Sequence, residues 1–224
     1  MNYTFDFTDV LRELPYLLGG AWLSLQIAFV AFFVGATLGL FGALGRVYGP
    51  RAVQRAIGAY VTFLTNTPAL VQIFFLYYAL PDLGVLLDPL TCVLIGLVLN
   101  SAAYLTEILR AGVVSVRRAE IEAAQTLNMS RTQIVRHVML PHIARTIYAP
   151  LSNFFIILVL GSSLAGLFGV EELTGRAINI STVNLRTIET FSVVAAIYVA
   201  ITLLASLTLA AIGRYAFRVR ARIF

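Results

Sequence analysis

The sequence predicts an all-α membrane protein with five transmembrane helices, the N-terminus outside, the C-terminus inside, and a cytoplasmic helical loop between helices 3 and 4. Three observations carry this prediction. Of 224 residues 59% are hydrophobic and only 12% are charged, about half the charged share of an ordinary soluble domain. Five runs hold no Asp, Glu, Lys or Arg, namely 14–45, 56–81, 89–106, 146–170 and 190–213, and each approaches or exceeds the roughly 20 residues a span requires. Taking the connections alternately, one side receives 13 Arg and 3 acids and the other 3 Arg and 8 acids. The basic side is cytoplasmic by the positive-inside rule, which also explains the net charge of +5 without invoking nucleic acid. Residues 1–224 are expected to form a single transmembrane domain.

Along the chain, residues 1–13 are polar, with Asp6 and Asp9 ahead of Arg12. A signal peptide opens on basic residues instead, so the first span is expected to be retained. That span runs from Pro15 to Gly45, and Gly35, Gly39 and Gly42 form a small-residue ridge suited to close helix approach. Arg46, Arg51 and Arg55 mark an inner loop. The second span is expected near 57–80, and Pro81-Asp82 and Asp88-Pro89 bound a short outer loop. Glu107 and Arg110, three apart on a helix, are expected to pair locally at the inner end of the third span. The fourth begins after Arg145. The stretch 161–189 is too rich in Gly, Ser and charge for a simple span, and predicts a break near Gly161 followed by a short outer helix and loop. The fifth fills 190–213, ahead of a basic tail carrying Arg214, Arg218, Arg220 and Arg222.

The polar interior segment, 117–145, has the most legible punctuation. A first helix through Glu122, Ala123, Ala124 and Leu127 should stop at Asn128, a residue that tolerates left-handed backbone. A second should start at Ser130, whose spacing to Gln133 is that of a capping box, while Met129 and Ile134 have the spacing of a hydrophobic staple. Pro141 should bend the chain where this helix hands over to the fourth span. A capped helix-turn-helix between spans reads as a docking surface.

The pattern Glu122-Ala123-Ala124, Asn128, Met129-Ser130, Leu140-Pro141 and Arg145 resembles the cytoplasmic coupling loop of bacterial ATP-binding-cassette importer permeases. Matches at Asn66-Thr67-Pro68 with Gln72, Ala103-Tyr104 with Glu107 and Arg110, and Ser163-Leu164 resemble the polar amino-acid branch, and the resemblance covers roughly residues 20–215. It implies a multi-pass subunit of the bacterial inner membrane that works with a second permease chain, two cytoplasmic ATPase subunits and a periplasmic substrate-binding protein. ATP and Mg would be bound by the ATPase partners, and this chain would need no cofactor. Glu122, Ala123, Ala124, Asn128, Met129, Ser130 and Arg131 would form the ATPase-coupling element, the two Ala keeping the helix thin and Glu122 and Arg131 supplying charge at its rim. Gln72, Asn153, Gly161, Ser162 and Ser163 are the candidate substrate-path residues, because polar groups and helix breaks inside spans are costly and suit an amino acid's ammonium and carboxylate. Asn100, Ser101 and Tyr104 stand equally as interhelical hydrogen-bonding residues. Outer docking of the binding protein is expected around Glu171 and Glu172.

The chain departs from the family at Leu160-Gly161, where many relatives have Lys-Asp, at Thr65-Asn66, where many have Arg-Asn or Arg-Gly, and at Ala119-Glu120, where Gly-Gln is frequent. A second, different permease chain supplying the missing groups would account for this, which favours a heterodimer. All 16 basic residues are Arg, so a GxxxxGK[ST] phosphate loop is absent and the chain is not itself the ATPase. Cys92 stands alone in an apolar run, and His137 and His142 flank Pro141 without ligand partners, so a metal centre is not expected. Ser, His and acidic residues occur without a nucleophile elbow. The alternative reading is an ATP-independent secondary transporter or a channel-like membrane subunit, but a secondary transporter calls for an unpaired intramembrane acid and neither alternative explains the capped loop.

Overall fold

The computed structural model describes residues 4–216. In chain order the helices are α1 (Thr8–Arg12), α2 (Leu14–Tyr48), α3 (Arg51–Thr65), α4 (Ala69–Ala79), α5 (Pro89–Val114), α6 (Arg118–Thr126), α7 (Arg131–Phe168), α8 (Leu173–Asn184) and α9 (Thr187–Ala216). Arg218, Arg220 and Arg222 of the basic tail lie outside the described residues.

Among the described residues, α2, α5, α7 and α9 are each long and apolar enough to cross a membrane, and α3 with α4 makes a fifth span only if this bent pair counts as one. The uninterrupted second span expected at 57–80 is therefore corrected to a broken one. Pro68 offers no N–H to continue the helix. At the end of α3, Asn66 Nδ2 donates to Thr62 O at 2.7 Å and Thr67 Oγ1 to Phe63 O at 2.8 Å, so two side chains add donors to carbonyls of its last turn.

A second correction concerns Pro141. The chain does not break there: α7 runs as one helical segment from Arg131 to Phe168, with a π turn at Val135–Met139 and the tighter 3₁₀ turns of Ser162–Phe168 at its end. A π turn widens the helix locally, which accommodates the proline ring without ending the helix. The break near Gly161 takes the form of this tightening. It closes on Gly169 in the left-handed region at φ 81°, and the short helix α8 follows.

Two compact units emerge, each drawing on α2, α5, α7 and α9. One comprises the described residues up to Phe33 with Pro68–Val98 and Phe155–Ala205. Its core joins Val10, Leu17 and Ala21 to Leu173, Ala177, Ile180 and Val194. Asp88 caps α5 by accepting from Thr91 N at 3.0 Å, and its bonds to Thr91, the hydroxyl foremost, hold its carboxyl below the usual carboxylate range.

The other unit comprises Val34–Thr67, Leu99–Phe154 and the described residues from Ser206. Here the glycine ridge packs as expected. A Cβ added at Gly35 would sit 2.6 Å from Ser101 Cβ, and one at Gly39 would sit 2.9 Å from Leu105 Cβ, so α2 and α5 approach at a distance only glycine permits. Three side chains then tie α3 to α5: Tyr60 OH donates to Leu99 O at 2.7 Å, Asn100 Nδ2 to Leu64 O at 3.3 Å, and Tyr104 OH to Thr65 O at 3.1 Å. Asn100 and Tyr104 are thus interhelical fasteners. Ser101 is fully buried at the glycine contact.

Candidate functional site

Between Glu122 and Gln133 the loop turns and restarts where its punctuation predicts. Helix α6 ends in a Schellman motif in which Met129 N donates to Ala124 O at 3.2 Å and Asn128 N to Gln125 O at 2.9 Å. This closure requires a left-handed residue, and Asn128 has φ 58°. Ser130 N then donates to Gln133 Oε1 at 2.7 Å while Gln133 N donates to Ser130 Oγ at 3.4 Å, completing the capping box. Ile134 is buried and Met129 half-buried. Two helix ends within five residues are thus capped by residues of the loop itself, so the turn of the elbow is specified locally.

Glu122, Ala123 and Arg131 are exposed, and Glu122 Oε1 pairs with Arg118 Nε at 2.8 Å. Ala124 is different: it is 4% exposed, because α6 packs against the start of α7. The two alanines therefore divide their work. Ala123 presents a small outward surface, and Ala124 sets the spacing inside the elbow.

Around this elbow the structure places partners that sequence spacing could not supply. Glu107 Oε2 accepts from Arg110 Nη2 at 2.7 Å, as expected, and Glu107 Oε1 also lies 3.8 Å from Arg46 Nη2. His142 contacts Ser115 and Glu120. His137 Nδ1 lies 3.1 Å from Gln133 O. Among the described residues no group of three or more His, Cys, Asp or Glu could hold a metal ion.

The candidate substrate-path residues are not equivalent. Gln72, Gly161, Ser162 and Ser163 fall in one compact unit and Asn153 in the other. Asn153 is exposed, Gln72 and Ser163 are half-buried, and the space beside Gly161 is open, with no atom within 4 Å of an added Cβ. Ser162 is fully buried and donates to Val159 O at 2.7 Å, while Ser163 donates to Leu160 O at 2.7 Å. Both hydroxyl protons are committed, so Ser163 Oγ offers a ligand only acceptor capacity and Ser162 offers it no exposed surface.

Glu172, expected on the outer docking face, is instead 0% exposed. Its Oε1 accepts from Gly175 N at 3.0 Å, capping α8, and its Oε2 accepts from Ser24 Oγ at 2.8 Å and Tyr198 OH at 3.0 Å. The Glu172-x-x-Gly175 spacing at a helix start was the available signal. Glu171 remains exposed.

The family described as binding-protein-dependent transport system inner membrane component matches residues 12–220. The glutamine transport system permease protein GlnP of Escherichia coli (strain K12) is 34% identical over 214 residues, covering 94% of this chain and 97% of that protein. The L-cystine transport system permease protein TcyB of Bacillus subtilis (strain 168) is 36% identical over 171 residues, 76% and 73% of the two chains. Among solved structures, an amino acid ABC transporter crystallised with histidines aligns with a TM-score of 0.88 at 31% identity, covering 95% of this chain and 99% of that one. The MetNI methionine ABC transporter shares the fold at a TM-score of 0.74 and 19% identity, over 91% and 97%. A matching profile over nearly the whole length and full-length relatives above 30% identity place this chain in the family of binding-protein-dependent transport system inner membrane components.

Proposed function

We propose that this chain is the inner-membrane permease subunit of an ABC importer for polar amino acids, receiving substrate from a periplasmic binding protein and moved by ATP hydrolysed in separate subunits. The doubly capped elbow at 117–145 is the observation that carries the coupling half of this reading: a short, locally rigid helix presenting Glu122, Ala123 and Arg131 outward is what an ATPase groove can grip and push. The N-terminus lies outside and the elbow inside, in accord with the arginine distribution. Residues 1–224 act as one permease domain, dimerised with a second permease chain above two ATPase subunits that bind ATP and Mg.

In the cycle that follows, closure of the ATPase pair moves α6, and the motion passes to α5 and α7, which flank the elbow in sequence. Alternating access results. Along the substrate path, the open space at Gly161, the acceptor oxygen of Ser163 and Gln72, all of one compact unit, serve a zwitterion, with Ser163 suited to its ammonium, and Asn153 is a path residue of the other unit. The Lys-Asp pair that relatives carry at 160–161 comes from the second, different permease.

Purification of this chain with its genomic neighbours, intact-complex mass spectrometry and an ATPase assay with candidate binding proteins test the reading. An ATPase pair, two different permeases and amino-acid-stimulated hydrolysis are expected. Recovery without an ATPase, or transport in liposomes without ATP, would overturn it.

A further inference from the structure

We infer that Glu120, His142 and Ser115 form a charged bridge that positions the coupling helix, a proposal that rests on the permease reading above. Glu120 lies on α6, Ser115 just beyond the end of α5, and His142 in α7. His142 Nε2 is 3.1 Å from Ser115 Oγ, and His142 Nδ1 is 3.6 Å from Glu120 Oε2. One imidazole thus touches both the end of the helix entering the elbow and α6 itself, from the helix that leaves it.

Proton accounting gives the bridge its chemistry. The Ser115 hydroxyl donates to Gly112 O at 2.8 Å, so toward His142 it accepts, and Nε2 carries a proton. A neutral ring would then turn an unprotonated Nδ1 toward a carboxylate, which is repulsive. A proton on Nδ1 turns the 3.6 Å contact with Glu120 into an ion pair, so the bridge is at its strongest with the imidazolium. Of the other charges on these elements, Arg118 pairs with Glu122 and Arg110 pairs with Glu107, while Arg117, Arg136, His137 and Arg145 are exposed. Arg117 precedes α6, and Arg136, His137 and Arg145 share α7 with His142. Both bridging side chains are about one-third exposed, so the contact is open to bulk pH.

The consequence is positional. With the bridge made, displacement of α6 carries α5 and α7 with it. Without it, α6 slips against them and hydrolysis is less tightly tied to translocation.

The test uses the assembled importer in liposomes, comparing substrate moved per ATP for wild type, Glu120→Gln, His142→Gln and the swapped pair Glu120→His with His142→Glu, between pH 6 and 8, within the window in which imidazoles change charge. Expected are retained ATPase subunits in every variant and a wild-type ratio higher at pH 6 than at pH 8. Both single variants should lower the pH 6 ratio by about two- to fivefold and flatten its pH dependence, with partial recovery in the swap. Single-variant ratios that coincide with wild type across this range would overturn the bridge. Failure of the wild-type complex to hold an ATPase would instead overturn the permease reading, so the two failures are distinguishable.

Discussion

Ser24 Oγ donates to Glu172 Oε2 at 2.8 Å and accepts from Leu173 N at 3.3 Å, joining α2 to the start of α8 across 148 residues of chain. Tyr198 of α9 donates to the same carboxylate oxygen and lies 3.0 Å from Thr174 Oγ1. A buried carboxylate is costly unless its oxygens are hydrogen-bonded, and here Glu172 unites three helices through the bonds it accepts from Gly175 N, Ser24 Oγ and Tyr198 OH.

Replacing Glu172 by Ala removes the acceptor shared by Ser24, Tyr198 and Gly175 N, leaving Ser24 with Gly20 O and Tyr198 with Thr174 Oγ1 as their other partners. The expected loss is about 2–4 kcal/mol of stability, read as a lowered thermal unfolding midpoint in detergent. Glu172→Gln, which keeps the acceptor on one oxygen, should lose less. Equal midpoints for Glu172→Ala and wild type would show that the network is not structural.

Asn128 sits at φ 58° in the Schellman closure. Glycine adopts that backbone at no steric cost, whereas a β-branched residue resists it. Asn128→Gly should therefore preserve the elbow, and Asn128→Val should weaken it by about 1–2 kcal/mol. Hydrogen exchange at Met129 N, whose bond to Ala124 O depends on the turn, reports the difference: faster in the Val variant and unchanged in the Gly variant.

These two sites also show which parts of the molecule could be read from sequence. The elbow was legible because its determinants are local: Asn128, Ser130 and Gln133 act within a few residues of one another. The ridge of Gly35, Gly39 and Gly42 was legible because its spacing alone defines a smooth face. The broken second span was not, because absence of charge over 56–81 fixes an apolar environment but not a direction, although Asn66-Thr67-Pro68 held the signal. Burial of Glu172 was hidden for another reason: its partners Ser24 and Tyr198 are distant in sequence, and a glutamate beside a glutamate looks solvent-facing until the fold supplies donors. His142 illustrates the same limit, since its partners lie 27 residues away at Ser115 and on the preceding helix at Glu120.

The contact at Gly39 admits no extra atom. An added Cβ would meet Leu105 Cβ at 2.9 Å, Thr106 N at 3.0 Å and Leu105 C at 3.1 Å, two of them backbone and unable to rotate away. Gly39→Ala is expected to force α2 and α5 apart locally at a cost of about 1–3 kcal/mol, despite alanine's better helix propensity. A thermal midpoint in detergent that rises instead would mean the two helices relax freely at this point.

Ala123 and Ala124 separate docking from folding with a single kind of substitution. Ala123 is exposed on α6 and Ala124 is 4% exposed against the start of α7. A leucine at 123 adds bulk where an ATPase groove would close on the helix, so Ala123→Leu should yield a stably folded permease that fails to hold its ATPase subunits. At 124 the same bulk overfills the elbow, so Ala124→Leu should lower the stability of the loop by about 1–3 kcal/mol and lose the ATPase only as a consequence. Limited proteolysis of the loop, run beside co-purification, distinguishes the two. Protection retained with ATPase lost is expected for Ala123→Leu, and protection lost for Ala124→Leu. If Ala123→Leu retains its ATPase and drives transport normally, the outward face of α6 is not the gripped surface, and the coupling contact must be sought at Arg131 and the capped turn instead.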